Sequence, residues 1–248
     1  MKELFSKQAN DYARFRPTYP TDLFRYLASL AKEHSCAWDC GAGNGQAAIA
    51  LTRYYGRIIA TDPSADQIAH ARPHPKVEYR TASAESSGIS AESIDLIVAA
   101  QALHWFDSDK FYVEVRRVAK ATGSVIAAWC YSLLEITPAV DWVVHRYYRD
   151  VIGKYWEPER RLVEQGYRGI SFPFREIEAP KFFMETDWVF NHLVGYLGTW
   201  SATQTAISLT GMNPLDTIRA ELHEAWGNIE AKRRVKWPLF VRIGGVQK

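Results

Sequence analysis

Cysteine is scarce: Cys36, Cys40 and Cys130 are all that the 248-residue chain has. They are too few and too scattered for a disulfide framework or a zinc site. Cys36 and Cys40 flank a short apolar run, where small core residues are expected. No run of about 18 apolar residues occurs, so no transmembrane helix is predicted. The opening residues, Met1-Lys2-Glu3-Leu4-Phe5, turn polar at once and lack the apolar stretch of a signal peptide. Nor does one sign of charge prevail: 30 basic and 28 acidic residues leave a net charge of +2. That balance gives no reason to expect nucleic acid, which normally leaves a strongly basic face. Repeats and low-complexity tracts are also missing. The chain therefore reads as a soluble, cytoplasmic monomer or homodimer whose partner is a small molecule, with no membrane and no nucleic acid involved.

What is abundant is apolar and aromatic. Hydrophobic residues make up 47%, and nine Trp and thirteen Tyr are present, many beyond residue 100. The length favours one large α/β domain over residues 1–248. Residues 35–130 alternate short apolar runs with helical patterns, the signature of βα units around a parallel sheet. Strands are expected at 37–40, 57–61, 77–81, 94–100 and 124–130. The run at 94–100, IDLIVAA, is nearly wholly apolar, as suits a central strand covered on both faces. Helices are expected at 46–55, from a Ser64/Gln67 capping box to 72, and along the face of Phe111, Val115 and Val118. Beyond 130 the rhythm changes to an aromatic helix at 138–156, a strand at 176–184, helices at 187–200 and 214–226, and an apolar strand at 235–246. Asn213-Pro214 makes a good start for the last of these helices. Residues 1–20 and 131–230 are read as lid and substrate cover over a core at 35–130.

The strongest chemical signal is Asp39-Cys40-Gly41-Ala42-Gly43-Asn44-Gly45, set between a strand and a helix. Glycines let a backbone turn sharply and approach a ligand closely, and ligands of open α/β sheets sit at the carboxyl ends of the strands. The dinucleotide fingerprint G-x-G-x-x-G fails, because Gln46 or Ala48 stands where its last glycine belongs. The pattern present, D-x-G-x-G-x-G, leads with an acid that would repel a pyrophosphate. That acid suits a cationic ligand such as S-adenosylmethionine, which carries an ammonium, a sulfonium and no phosphate. Asp62, 23 residues after Asp39, ends the second strand, where it can accept from ribose hydroxyls. Ser83-Ala84-Glu85 follows the third strand, where a loop can close over adenine.

The run ending in Ala102-Leu103-His104-Trp105-Phe106-Asp107 resembles the class I S-adenosylmethionine-dependent methyltransferases. It is similar in particular to their small-molecule branch of trans-aconitate methyltransferase-like proteins. The stretch from Tyr12 through Arg16-Pro17-Thr18-Tyr19-Pro20 resembles that branch's Y-x-x-x-R-P-x-Y-P. Arg117-Val118-Ala119-Lys120-Ala121-Thr122-Gly123 resembles its R-V-L-K-P-G-G turn, with Ala121 and Thr122 departing from it. Tyr196-Leu197-Gly198-Thr199-Trp200-Ser201 resembles a late cover-helix motif. The resemblance implies a Rossmann-like, doubly wound, seven-stranded and mostly parallel sheet, with a helical cover before an antiparallel last strand. It implies cofactor contacts at Asp39, Gly41, Asp62, Ala84, Glu85 and Gln101, beside Gly43 and Gly45 of the loop.

Methyl transfer is an in-line displacement, and positioning supplies much of its acceleration. A carboxylate acceptor arrives ionised, whereas a phenol or alcohol benefits from a base. His104 is the one good base candidate, or else a packed histidine orienting its loop; the residues leave both readings open. Trp105 is expected in the pocket wall. Tyr12, Arg16 and Tyr19 are expected to close as a lid, with Arg16 pairing to an acidic substrate or to the cofactor carboxylate. Arg146 and Arg149 are read as solvated face, Trp188 and Trp200 as core. The expected function is methylation of a small molecule, a carboxylate in preference to a phenol or alcohol with His104 as base. A cofactor-binding protein without turnover is the remaining alternative, and an NAD-dependent oxidoreductase is disfavoured by Asp39 and Gln46.

Overall fold

The computed structural model describes residues 15–247, so Tyr12 lies outside the described residues. Strands β1 (Cys36–Cys40), β2 (Arg57–Asp62), β3 (Val77–Thr81), β4 (Leu96–Ala100) and β5 (Val125–Tyr131) run parallel in the order β3-β2-β1-β4-β5. Strand β8 (Arg233–Gly245) adds antiparallel to β5, from Val125 opposite Gly245 to Tyr131 opposite Leu239. Side chains of a strand alternate between faces, and here both faces are covered. Ala127, Trp129 and Tyr131 enter one apolar cluster, while Ile126, Ala128 and Cys130 enter the other. This two-sided burial explains why β4 and β5 read as unbroken apolar runs.

The outer position holds two strands instead of the one expected at 176–184. β6 (Arg175–Glu176) pairs with Gly245 and Gly244 of β8, and β7 (Phe182–Trp188) pairs with Leu239 through Arg233. The sheet therefore has eight strands, not seven. Between β6 and β7 stands Pro180, which has no N–H to give to a ladder.

Helix α1 (Thr21–Leu30) packs Leu23, Phe24 and Leu27 onto the sheet; α2 (Gln46–Leu51), α3 (Ala65–Ala69) and α4 (Ser108–Val118) follow β1, β2 and β4. Ser64 Oγ accepts from Gln67 N–H at 3.3 Å, the expected cap, although α3 ends at Ala69. The helix expected at 138–156 is broken: α5 (Pro138–Arg146) passes into a π turn over Tyr147–Val151 and a 3-10 turn over Gly153–Tyr155. A short helix α6 (Arg160–Glu164) follows, with no counterpart among the expected elements. The region expected as one helix at 187–200 is the end of β7, then α7 (Phe190–Gly198), with α8 (Ser201–Thr210) beyond it. Asn213 Oδ1 caps the turn Pro214–Thr217 at 3.1 Å, ahead of α9 (Arg219–Trp226). Arg146, expected on a solvated face, is ion-paired with Glu221 across α5 and α9. Among the described residues no helix is long and apolar enough to cross a membrane.

A buried carboxylate stitches α4 to the loop after β3. Glu114, 6% exposed, accepts from Ser87 N–H at 2.9 Å and from Arg117 Nε at 2.6 Å. Burial alone would raise its pKa, but the hydrogen bonds from Arg117 and Ser87 outweigh it and leave the group below its ordinary 4.5. Its contribution to stability is complete above 4.5 and is lost as pH falls through the lower folded value. Glu114→Gln should lower stability by roughly 1–3 kcal/mol near neutrality. In melting curves the gap between variant and wild type should close in acid; a gap that persists there would refute this account.

Candidate active site

The carboxyl ends of β1, β2, β4 and β5 open into a cavity of about 440 Å³. The loop after β1 folds over β2 because Gly41 and Ala42 both donate N–H to Thr61 O, at 2.8 and 3.0 Å. Gly41 has φ 70°, and a Cβ there would stand 2.6 Å from Ala102 Cβ of the loop after β4. Only glycine allows both that backbone and that approach.

Asp62, at the end of β2, is 5% exposed yet lines the cavity. Its Oδ2 accepts from Gly43 N–H and its Oδ1 from Ser64 N–H, each at 2.9 Å. Burial raises its pKa, tempered by those two bonds. Each oxygen keeps a further lone pair for a ligand hydroxyl. Asp39 is different. It is fully buried beneath the glycine loop, and neither oxygen has a hydrogen-bond partner within the protein. Burial pushes it up to about 7; the Ala48 N–H is close enough to temper the rise without completing a bond, and the Asp62 charge adds to it.

Of the residues singled out from sequence, Arg16, Tyr19, Gly41, Gly43, Asp62, Gln101, His104 and Trp105 line the cavity; Asp39, Gly45, Ala84 and Glu85 do not. Gly45 spends its left-handed backbone (φ 85°) on starting α2. Ala84 is buried in the core, and Glu85 accepts from Asp107 N–H at 3.0 Å, bracing one loop against the next. Gln101, in the left-handed region at φ 55°, commits its amide to the end of β5. Its Oε1 accepts from Tyr131 N–H at 2.9 Å and its Nε2 donates to Tyr131 O at 3.3 Å.

The far half of the cavity is aromatic, with Tyr19, Trp105, Tyr131, Trp156, Tyr196 and Trp200 in its wall. Trp200, expected as core, is both: it is 4% exposed and faces the cavity. Trp188 is core alone. Arg16 lies over the Tyr196 ring at 5.1 Å and donates to Tyr131 Oη and Thr199 O at 3.1 and 3.2 Å. Arg160, which sequence reasoning missed, lines this half too. Its guanidinium lies 4.8 Å from the Trp156 ring centre and 5.4 Å from that of Tyr148, and its Nε donates to Tyr148 Oη at 2.8 Å. Glu164 is reached only through that hydroxyl, at 2.5 Å, and among the described residues no carboxylate pairs with Arg160 directly. The sequence around it, Glu157-Pro158-Glu159-Arg160-Arg161, reads as a solvated turn, so only the strands and rings behind it reveal its place. His104 sits on a 3-10 turn (Leu103–Trp105), and burial, with the Arg160 charge adding, lowers its pKa to about 3. It is a neutral imidazole at pH 7.

Comparisons with known proteins point to the methyltransferases. A methyltransferase-domain family model matches residues 38–127. A Dictyostelium discoideum protein described as a methyltransferase is 33% identical over 96% of this chain and 92% of its own length. A Saccharomyces cerevisiae protein described as an S-adenosylmethionine-dependent methyltransferase is 28% identical over 68% of this chain and 64% of its own. The solved structure of a protein described as a type II methyltransferase from Anaeromyxobacter dehalogenans superposes with a TM-score of 0.88 at 45% identity, covering 94% of this chain and 99% of that one.

Proposed function

From the premise that this chain belongs to the S-adenosylmethionine-dependent methyltransferase family, we propose that it methylates the carboxylate of a small-molecule acid. The observation that carries the acceptor class is Arg160, an Arg with no carboxylate partner among the described residues, facing the cavity beside a neutral His104. A guanidinium matches a carboxylate with two parallel hydrogen bonds. The resemblance to the trans-aconitate branch points the same way, and residues 131–230 are read as the cover that carries Arg160 over residues 35–130.

The chain's own groups fit the cofactor. Asp39 is a buried carboxylate whose oxygens have no partner in the protein, and a cationic ligand above the glycine loop would supply the missing charge. Asp62 offers acceptors for ribose hydroxyls, and Gly41 and Gly43 keep side chains out of the way. When bound, the cofactor supplies an electrophilic methyl group. The protein's part is then to bind, orient and exclude water: Arg160 and Arg16 hold an anion, and the aromatic wall keeps the far half dry. No base is required, because the acceptor arrives ionised.

A panel of small carboxylic acids and phenols with radiolabelled cofactor tests this. Acids should give alkali-labile methyl esters; base-stable ethers alone would overturn the carboxylate reading. The Asp39 role has a separate test. Since burial holds that group up to about 7, it gains its charge as pH rises through neutrality. Affinity for S-adenosylmethionine should rise over the same window, and more steeply in wild type than in Asp39→Asn. Equal slopes in the two proteins would remove Asp39 from the site.

A further inference from the structure

Behind the cavity wall, Tyr167 does something a core tyrosine need not do. It is fully buried, and its backbone lies in the left-handed region at φ 62°, directly after Gly166 at φ 58°. For a bulky residue such a backbone is strained and persists only when its surroundings impose it. They do here: Tyr167 N–H donates to Leu162 O at 2.9 Å, and Tyr167 O accepts from Arg242 Nη1 at 3.1 Å. A Cβ on Gly166 would lie 2.8 Å from the Phe240 ring, so the bend also needs that glycine. The result is a phenol aimed at the loop after β4, where Tyr167 Oη stands 3.0 Å from His104 Nδ1.

The proton count at that oxygen decides which way the bond runs. Among the described residues, His104 Nδ1 is the one hydrogen-bond partner within reach of Tyr167 Oη, and a buried O–H left without an acceptor costs its full desolvation. A phenol has one proton to give, and it remains ionisable only far above neutrality, since burial raises it well beyond 10. That one proton therefore faces Nδ1, which must accept it. A neutral imidazole that accepts at Nδ1 carries its own hydrogen on Nε2. His104 lines the cavity and Tyr167 does not, so the Nε2 edge is the one turned toward the ligand.

We propose that Tyr167 is a positioning residue that locks His104 in the Nε2–H tautomer, so that His104 offers the acceptor a hydrogen-bond donor and not a proton-accepting base. The consequence rests on the carboxylate reading above: an ionised acceptor oxygen has use for a donor, whereas a phenol or alcohol would need the lone pair that Tyr167 has taken. The charged and titratable neighbours agree. Arg160 from α6 disfavours an imidazolium, and the nearby Cys130 thiol of β5 is held up to about 12 by burial and stays neutral. Nε2–H and the Arg160 guanidinium would then grip one carboxylate from two sides.

The tautomer can be read without any acceptor. In histidine-¹⁵N-labelled protein, with the His104 signal identified from its loss in His104→Gln, long-range ¹H–¹⁵N correlation should show the proton on Nε2. It should stay there across the range where an ordinary histidine titrates. Tyr167→Phe should release the lock and give a mixture of tautomers, with cofactor affinity unchanged. With the best carboxylic acid from the panel, Tyr167→Phe should lower kcat roughly two- to tenfold, the worth of one hydrogen bond. His104→Gln, whose amide nitrogen can take the place of Nε2, should retain more activity than His104→Asn. A wild-type proton on Nδ1, an imidazolium at neutral pH, or an unchanged tautomer in a folded Tyr167→Phe would each overturn the proposal. The correct tautomer with no methyl ester formed would instead sink the carboxylate reading alone.

Discussion

Arg160→Leu should lower kcat/KM for a carboxylic acid acceptor by roughly 30- to 5000-fold, the range expected when one partner of a desolvated charge pair is truncated at 2–5 kcal/mol. The reason is that Arg160 is already held in place before any ligand arrives. The Trp156 and Tyr148 rings pack against the guanidinium and Tyr148 Oη takes Nε. What remains of the planar fork is available to an anion. Arg160→Lys keeps the charge but loses the two parallel hydrogen bonds, and should fall between wild type and Arg160→Leu. Cofactor affinity should stay near the wild-type value in both, because the glycine loop and Asp62 lie in the other half of the cavity. If Arg160→Leu leaves KM for every acid in the panel unchanged, Arg160 is a surface residue and the acceptor class is wrong.

Asp62→Ala should weaken S-adenosylmethionine binding about 10- to 150-fold, corresponding to roughly 1.5–3 kcal/mol for hydrogen bonds to a charged acceptor. Two losses contribute. The carboxylate would no longer accept from the ligand, and Gly43 N–H and Ser64 N–H would lose the partners that now hold the loop after β1 against the turn after β2. Asp62→Asn separates them, since its carbonyl oxygen can keep one backbone donor while its NH₂ must oppose the other. It should bind better than Asp62→Ala and worse than wild type by isothermal titration. Tight binding by Asp62→Ala, in a protein that melts cooperatively, would take Asp62 out of the cofactor site.

The glycine loop and Asp62 were legible in the sequence because local chemistry defines them. A strand followed by D-x-G-x-G-x-G, and an acid at the end of the next strand, must come together at the edge of a parallel sheet. Asp39 was legible as an acid in the loop but not as one buried beneath it without a partner. Its depth depends on β2 and β4, which flank β1 on either side. Gln101 was expected among the cofactor contacts from the family resemblance alone; it lines the cavity, and its amide is engaged by Tyr131, 30 residues on. Pro180 was visible, yet its effect, the division of one strand into β6 and β7, depended on β8 lying beside it.

Periodicity and residue type, then, were enough for the parallel core, the cofactor class and half of the cavity. Each of those rests on contacts between neighbours in sequence or on the two-residue alternation of a covered strand. Arg16, Tyr19 and Trp105 of the acceptor half were expected as lid and wall; what they meet there was decided only in three dimensions. Trp156 and Arg160 follow a helix broken at Tyr147–Val151, Trp200 ends a segment that looked like pure core, and Arg16 comes from the other end of the chain. Tyr167 meets His104 across 63 residues. A hydrogen bond of that span leaves no periodic trace, because it is made by a backbone bend at Gly166 and by the strands that hold it, not by any local pattern.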